Sequence, residues 1–436
     1  MRLPDTARWA ATHGLIRLVL KRELRRGNPG ARLLTDPAVN ADPYPYYEGL
    51  RVPEPFASGL AGGRITVHHA VATEVLRSDA MGTVAFGGGP RPLRAVLGWF
   101  ESGAARSVIE PPSMLAVDPP VHSRYRKLVT RAFTVRAVNA LRERTEQIST
   151  ELLDELAKDG NRQVDLVRRY AAQLPVIVIC EILGAPTSMR EHFLRWGDDA
   201  ATSLDPGMSL RQFHRAQEGI DALLDWLRGH FVELRRNPGE DILSQLVNAE
   251  DDDQLTETEL LATALLVLAA GFETTVNLLG TGIALLDRHP EQRALLADRP
   301  ELWPNAVDEM LRFDSPVQRT ARRALRETEI AGIALEPEDF VVLLLGGANR
   351  DPRVFTDPNR FDITRENAGK HLSFSSGVHH CLGASLARME GEVALRALYQ
   401  RFPELSLVGA PQRRPTTNLR GYTSVPARLA APIPAG

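Results

Sequence analysis

A mainly helical body with a minor β region is the fold class this 436-residue chain predicts, and three observations carry that reading. Helical periodicity dominates from about Asp118 to the Arg401 region, interrupted by the turn-rich breaks "SLDPGMS", "RRNPGED" and "NRDPRVFTDPNRF". Strand-like pieces are fewer: "RITVHHA" near the start and the β-branched run from 328 to 346. No break has the length or composition of an interdomain linker. Residues 41–436 therefore read as one large domain behind an amphipathic extension at 1–40, although single cores tend to stop growing at roughly 250–300 residues.

Taken in chain order, the first element is "ARWAATHGLIRLVLKRELRR", an Arg-rich amphipathic stretch whose apolar runs are broken by Arg17, Lys21 and Arg22, unlike a secretory signal. Contact with a membrane surface is one use of such a helix. A helix laid on the body is the favoured one, because amphipathic helices usually face a core. "FGGGP" has neither the glycine spacing of a dinucleotide fingerprint nor a following Lys-Ser/Thr, so it reads as a loop. In "VDPPVHSRYRKLV", Asp118 is the expected cap and Pro119 the first turn of a helix that puts His122 and Arg126 on one face. Cys180 lies in the apolar run "LPVIVICEIL" and reads as a small buried thiol.

The longest helix opens with the capping box Thr256-x-x-Glu259 and runs to about His289. Its stretch "LLATALLVLAAGF", residues 260–272, carries no charge and ends on Glu273, Thr274 and Thr275. Ala270 and Gly271 are small, which bares one side of the helix just where an acid and two hydroxyls arrive. A small flat reactant fits against such a gap, with Glu273 passing protons and Thr274 donating a hydrogen bond to it. Glu309 and Arg312 in "EMLR" are an i, i+3 pair, a spacing that by itself means a surface contact worth roughly 0.2–0.5 kcal/mol. "VQRTARR" at 317–323 then offers a cluster of guanidinium groups.

The segment "FSSGVHHCLG", residues 374–383, holds the second of two cysteines. A closed zinc site loses on ligand count, since no second Cys-containing cluster exists. A nucleophilic thiol and a transition-metal thiolate both stay open. Cys381 is expected at the first turn of a helix that buries Leu382, Leu386, Met389 and Val393, where the macrodipole favours the thiolate. Gly377 and Gly383 remove side chains where backbone would pass under a flat ligand, and Phe374 offers an aromatic face beside the sulfur.

Bulk composition narrows the classes further. Lys plus Arg number 52 against 55 Asp plus Glu, a formal charge of −3, which carries no nucleic-acid footprint. Two cysteines are too few for a disulfide framework and fit a reducing cytoplasm. No run reaches the 18 or so uninterrupted apolar residues of a spanning helix.

Together, Phe374-x-x-Gly377-x-His379-x-Cys381-x-Gly383 with Leu386-Ala387-Arg388, the "AGFETT" helix, Glu309-x-x-Arg312 and "NRF" resemble the cytochrome P450 family in its soluble, actinobacterial form. The resemblance spans nearly the whole chain, from "DPYPYYEGLR" at 42–51 onward. It implies a triangular helical body with small sheets. It also implies haem b (iron protoporphyrin IX) between the helix at 256–289 and the Cys381 loop, with Cys381 as axial thiolate, an electron-donating ligand by the family's general chemistry. By the same resemblance Ala270, Gly271, Phe374, Gly377 and Gly383 lie against the cofactor. His122, Arg126, Arg322 and His379 hold its propionates, a pairing that suits guanidinium forks and carboxylates. Glu273 and Thr274 are the proton-delivering acid and alcohol, and Glu309, Arg312 and Arg360 form a buried ion-pair triad. His380 departs from the aromatic or aliphatic residue commoner before the cysteine.

The implied reaction inserts one atom of O₂ into an organic substrate, with electrons from a ferredoxin and its NAD(P)H-dependent reductase. A peroxide-driven haem-thiolate enzyme and a non-catalytic haem-binding sensor are the rival readings. Substrate contacts are expected from Val84 to Trp99, from 203–209, from Leu266 to Ala270, near Val317 and before Tyr422. Their apolar character suggests a lipid-, terpenoid- or polyketide-like molecule.

Overall fold

Apolar periodicity builds a helical body, and the computed structural model describes it over residues 5–84, 110–130, 133–158, 163–249, 255–429. The 32-residue helix Glu257–Arg288 runs through the middle, about 48 Å long at 1.5 Å per residue. Its capping box is formed as expected: the Thr256 side chain accepts from the Glu259 N–H and the Glu259 side chain accepts from the Thr256 N–H. By length and composition this helix could cross a membrane, although no uninterrupted apolar run in it reaches 18 residues, but 72% of its most apolar stretch is buried inside the protein. It is a core helix. Around it pack Gln173–Ile182, Arg190–Ala201, Leu210–Arg236, Trp303–Phe313 and Ala384–Arg401, with Val135–Lys158 laid on the last of these. Contact is close where side chains are missing: a Cβ at Gly282 would stand 2.8 Å from Leu395 Cδ1 and 2.9 Å from the Met310 sulfur. Each fully buried Phe or Leu on these faces contributes roughly 1.5–3 kcal/mol.

The β region is small. Its main sheet runs Ala57–Ser58, Arg64–Thr66, Phe340–Leu343, Thr320–Ala324, Met81–Thr83. The Arg64–Thr66 and Phe340–Leu343 pair is parallel and the others are antiparallel, with Arg322 opposite Val341 on one side and Thr83 on the other. Within 328–346, Thr328–Ile330 and Ile333–Leu335 form a separate hairpin that turns at Gly332, φ +77°.

Two expectations are corrected. The helix predicted at Asp118 is Val121–Thr130, and the Asp118 carboxylate serves the sheet instead, accepting from the Thr83 N–H at 2.8 Å. The helix predicted at Cys381 begins at Ala384, so the cysteine stays in the preceding loop. The stretch Val84 to Trp99 lies, beyond Val84, outside the described residues. Near the start, Asp5–Trp9 and Leu15–Arg25 are helical and lie on the body, where Trp9 Nε1 donates to the Met208 carbonyl at 2.9 Å.

Candidate active site

The loop carrying Cys381 is shaped by its own backbone and riveted from behind. Gly377 has φ +69°, and a Cβ there would lie 2.1 Å from the Leu76 carbonyl oxygen. That contact by itself requires glycine, whatever lies on the loop's other side. At Gly383 a Cβ would meet nothing within 4 Å, and the Gly383 N–H faces the Cys381 sulfur. The Cys381 N–H donates to the Phe374 carbonyl at 2.8 Å. The Phe374 ring sits under the Arg388 guanidinium, 4.6 Å away, and beside His371. Cys381 is accessible, yet protein is packed densely around it. Burial pushes its thiol up, while the Gly383 N–H and the Arg126 and Arg388 guanidiniums pull it down.

Cations converge beside this loop. The His122 and His379 rings are 4.1 Å apart, and Arg322 and Arg126 act on both, so burial and like charge together hold His379 down at about 3. His122 Nδ1 and His379 Nε2 are buried without a hydrogen-bond partner. Asp118 stands 3.9 Å from His379. Such a cluster is uneconomical unless an anion meets it, and two carboxylates would satisfy both orphaned nitrogens and both guanidiniums. The three arginines after Val317 separate by strand alternation: Arg319 turns to Asp205 and Thr417, Arg323 to Asp118 and Glu338, and Arg322 to the histidines.

On the central helix the residues divide between two faces. Ala270 and Thr274, one turn apart, are accessible, and the Thr274 hydroxyl donates back to the Ala270 carbonyl at 3.2 Å. The expectation had that hydrogen donated to the reactant; here it serves the helix backbone. Gly271 is also corrected: a Cβ there would press within 2.8 Å of Ile179, so its smallness admits a neighbouring helix. Glu273 is 3% exposed and lies 2.6 Å from Arg414, a residue with no signal in the sequence pattern. Their alignment is not that of a hydrogen bond, and Glu273 Oε1 stays unsatisfied. Arg414 also pairs with Asp198, whose side chain is half exposed, and donates to Asn277 Oδ1 at 3.1 Å. Desolvation raises the Glu273 carboxyl above its ordinary range; Arg414 opposes this.

Behind the loop sits the ion-pair cluster. Glu309 and Arg312 are fully buried and joined by two hydrogen bonds of 2.6 and 2.8 Å, so this is no surface pair. The third member is Arg365, whose Nε donates to both Glu309 oxygens at 3.2 and 3.3 Å. Arg360 is exposed and contributes only its backbone carbonyl, which accepts from Arg312 and Arg365. A tight turn through Asp357, φ +47°, carries the Arg360 side chain outward. Two further links that the sequence did not show tie the loop to Trp303–Phe313: Asp308 takes His371 at 3.2 Å and Arg388 at 2.7 Å, and Ser373 donates to the Leu311 carbonyl.

Against known proteins, the cytochrome P450 family model matches residues 104–299 and 296–426. A cytochrome P450 140 of Mycobacterium tuberculosis is 49% identical over 435 residues, 98% of each chain. The chain belongs to the cytochrome P450 family. The 6-deoxyerythronolide B hydroxylase of Saccharopolyspora erythraea is 47% identical over 72% of this chain and 76% of its own. Among solved structures, P450BioI in complex with an acyl carrier protein ligated to hexadec-9Z-enoic acid superposes with a TM-score of 0.82 at 31% identity, covering 90% of this chain and all of that one. As a P450 the protein is a haem-thiolate monooxygenase. The orphaned nitrogens, the gathered cations and the open side of Gly383 fit such a group, with a soft thiolate donor below it.

Proposed function

We propose that this P450 inserts one oxygen atom of O₂ into a hydrophobic polyketide- or fatty-acyl-like substrate in the cytoplasm, with electrons from a ferredoxin and an NAD(P)H-dependent ferredoxin reductase. The observation that carries the reading is the buried Glu273 beside Thr274 on a helix whose accessible face is Ala270 and Thr274. Cys381 is its metal ligand, His122, Arg126, Arg322 and His379 hold the propionates of haem b, and residues 41–436 form one domain. When bound, the haem supplies the activation of dioxygen for insertion.

The chain's own residues supply position and protons. Glu273, raised by desolvation, holds a proton more readily than a surface carboxyl does, and Arg414 and Asp198 lead outward from it to solvent. Thr274 uses its proton on the Ala270 carbonyl and keeps its lone pairs toward the accessible side, where it orders a proton donor. Leu266 and Val267 keep the neighbouring helix surface dry. On the outer side of the cysteine loop an open groove of about 580 Å³ is walled by His122, Arg126, Lys127, Gly377 and Val378. Its basic rim supports docking of an acidic electron donor, with a reduction rate that falls as salt rises. The 6-deoxyerythronolide B hydroxylase, and the solved neighbour bound to an acyl carrier protein that bears a fatty acid, support the substrate class.

The test pairs one variant with two oxidant supplies. Thr274→Ala is expected to lower ferredoxin-supported product formation on the order of 100-fold while peroxide-supported turnover persists. Equal losses in both assays would overturn the assigned role of Thr274. A ferrous carbonyl spectrum without the red-displaced band of thiolate ligation would overturn the assignment of Cys381. Substrates are screened by the spin-state shift of the ferric protein.

A further inference from the structure

The helix Leu15–Arg25 has two faces, and the activity uses neither. Its inner face is satisfied: Leu20 is buried against the body, Arg17 Nη1 donates to the Gly207 carbonyl at 3.0 Å, and a Cβ at Gly207 would touch Leu20 at 3.2 Å. Its outer face combines two features that are costly together in water. Leu18 is 65% exposed, with Leu15 and Val19 also exposed. Lys21, Arg22 and Arg25 are exposed among them, and Arg26 follows. Glu23, the one carboxylate of the helix, is turned inward and takes Arg26 at 3.0 Å and Asn28 at 3.3 Å. The outward face is therefore apolar and of one charge sign, although the whole chain carries −3.

We infer that this face seats on an anionic lipid surface, with Leu15, Leu18 and Val19 in the acyl boundary and Lys21, Arg22 and Arg25 reaching headgroup phosphates. Helical spacing supports the arrangement, since positions 15, 18, 19, 22 and 25 fall on one side of the helix. Long basic stems extend from an apolar plane toward phosphate, as this geometry requires. A second copy of the chain is a poorer occupant, because a two-fold contact would set like charges against each other. Since the inner face grips Gly207, and Trp9 just before it holds Met208, the lipid surface would lie beside the 203–209 segment, one of those expected to contact substrate.

The holoenzyme is tested by co-sedimentation with vesicles of about 3:1 phosphatidylcholine to phosphatidylglycerol and with pure phosphatidylcholine vesicles. Binding is expected to the mixed vesicles, weakening with salt and by about fivefold for each of Lys21→Gln, Arg22→Gln and Arg25→Gln. Leu18→Glu should abolish it while the ferrous carbonyl spectrum stays intact, which separates lost docking from lost fold. No binding to the mixed vesicles at physiological salt overturns the inference. So does binding that Leu18→Glu leaves unchanged, which would assign it to another surface. A Leu18-dependent dimer in sedimentation without vesicle binding would give the face to a second copy and overturn it equally.

Discussion

At the scale of single residues, Arg360 and Arg365 show what spacing can and cannot say. Removing the Arg365 guanidinium strands part of the fully buried Glu309, so Arg365→Ala is expected to cost about 3–5 kcal/mol in denaturant unfolding. Arg360→Ala should stay within about 0.5 kcal/mol of wild type, because the carbonyl it contributes survives the substitution. Equal effects would refute the assignment. Cys381 and Glu273 stood out because each is a chemically distinctive residue beside small or apolar neighbours, while the roles expected of His122 and His379 came from the family resemblance. Arg365 did not stand out, since which arginine reaches Glu309 depends on the turn at Asp357. Arg414 had no signal at all: its pairing with Glu273 exists only once the chain's later part has folded back.

At the scale of elements, the capping box and the apolar run made the central helix readable, and its length came out as expected. What the pattern hid was a carboxyl between two core helices. Glu390 is 1% exposed, within the stripe of Met389 and Val393, with Thr275 of the central helix as its polar neighbour and neither oxygen in an aligned hydrogen bond. Desolvation raises it well above its ordinary 4.5. A carboxyl raised in the folded state destabilises progressively as pH climbs above its unfolded value, because unfolding releases the proton. Glu390→Gln is therefore expected to fold and to flatten the decline in stability from about pH 4.5 upward. Urea midpoints across pH check this, and parallel curves for variant and wild type would refute it. Periodicity alone counts such a residue as a break in the stripe.

At the scale of the whole molecule, distant segments close over one buried acid. Asp314 accepts from the Tyr44 hydroxyl at 2.7 Å, from Arg420 at 2.7 Å and from Arg413 at 2.9 Å. These partners overcome burial and hold its carboxyl far below the ordinary 3.8. A depressed carboxyl stabilises the fold above its unfolded value and loses that contribution as pH falls, so wild-type stability should drop below about pH 4. Asp314→Asn is expected to lose about 3–5 kcal/mol already at neutral pH and to lack that acid limb. Thermal unfolding from pH 7 to 3 is the check, and an unchanged limb would refute it. The family resemblance gave the architecture, but such closures join residues that no local pattern connects. Glu273 and Asp314 both take their counter-ions from beyond Phe402. During translation, then, a ribosome-arrested product ending at that phenylalanine would own every side chain proposed to grip the porphyrin and neither of these counter-charges, so pigment uptake and completion of the acid sites become separable events.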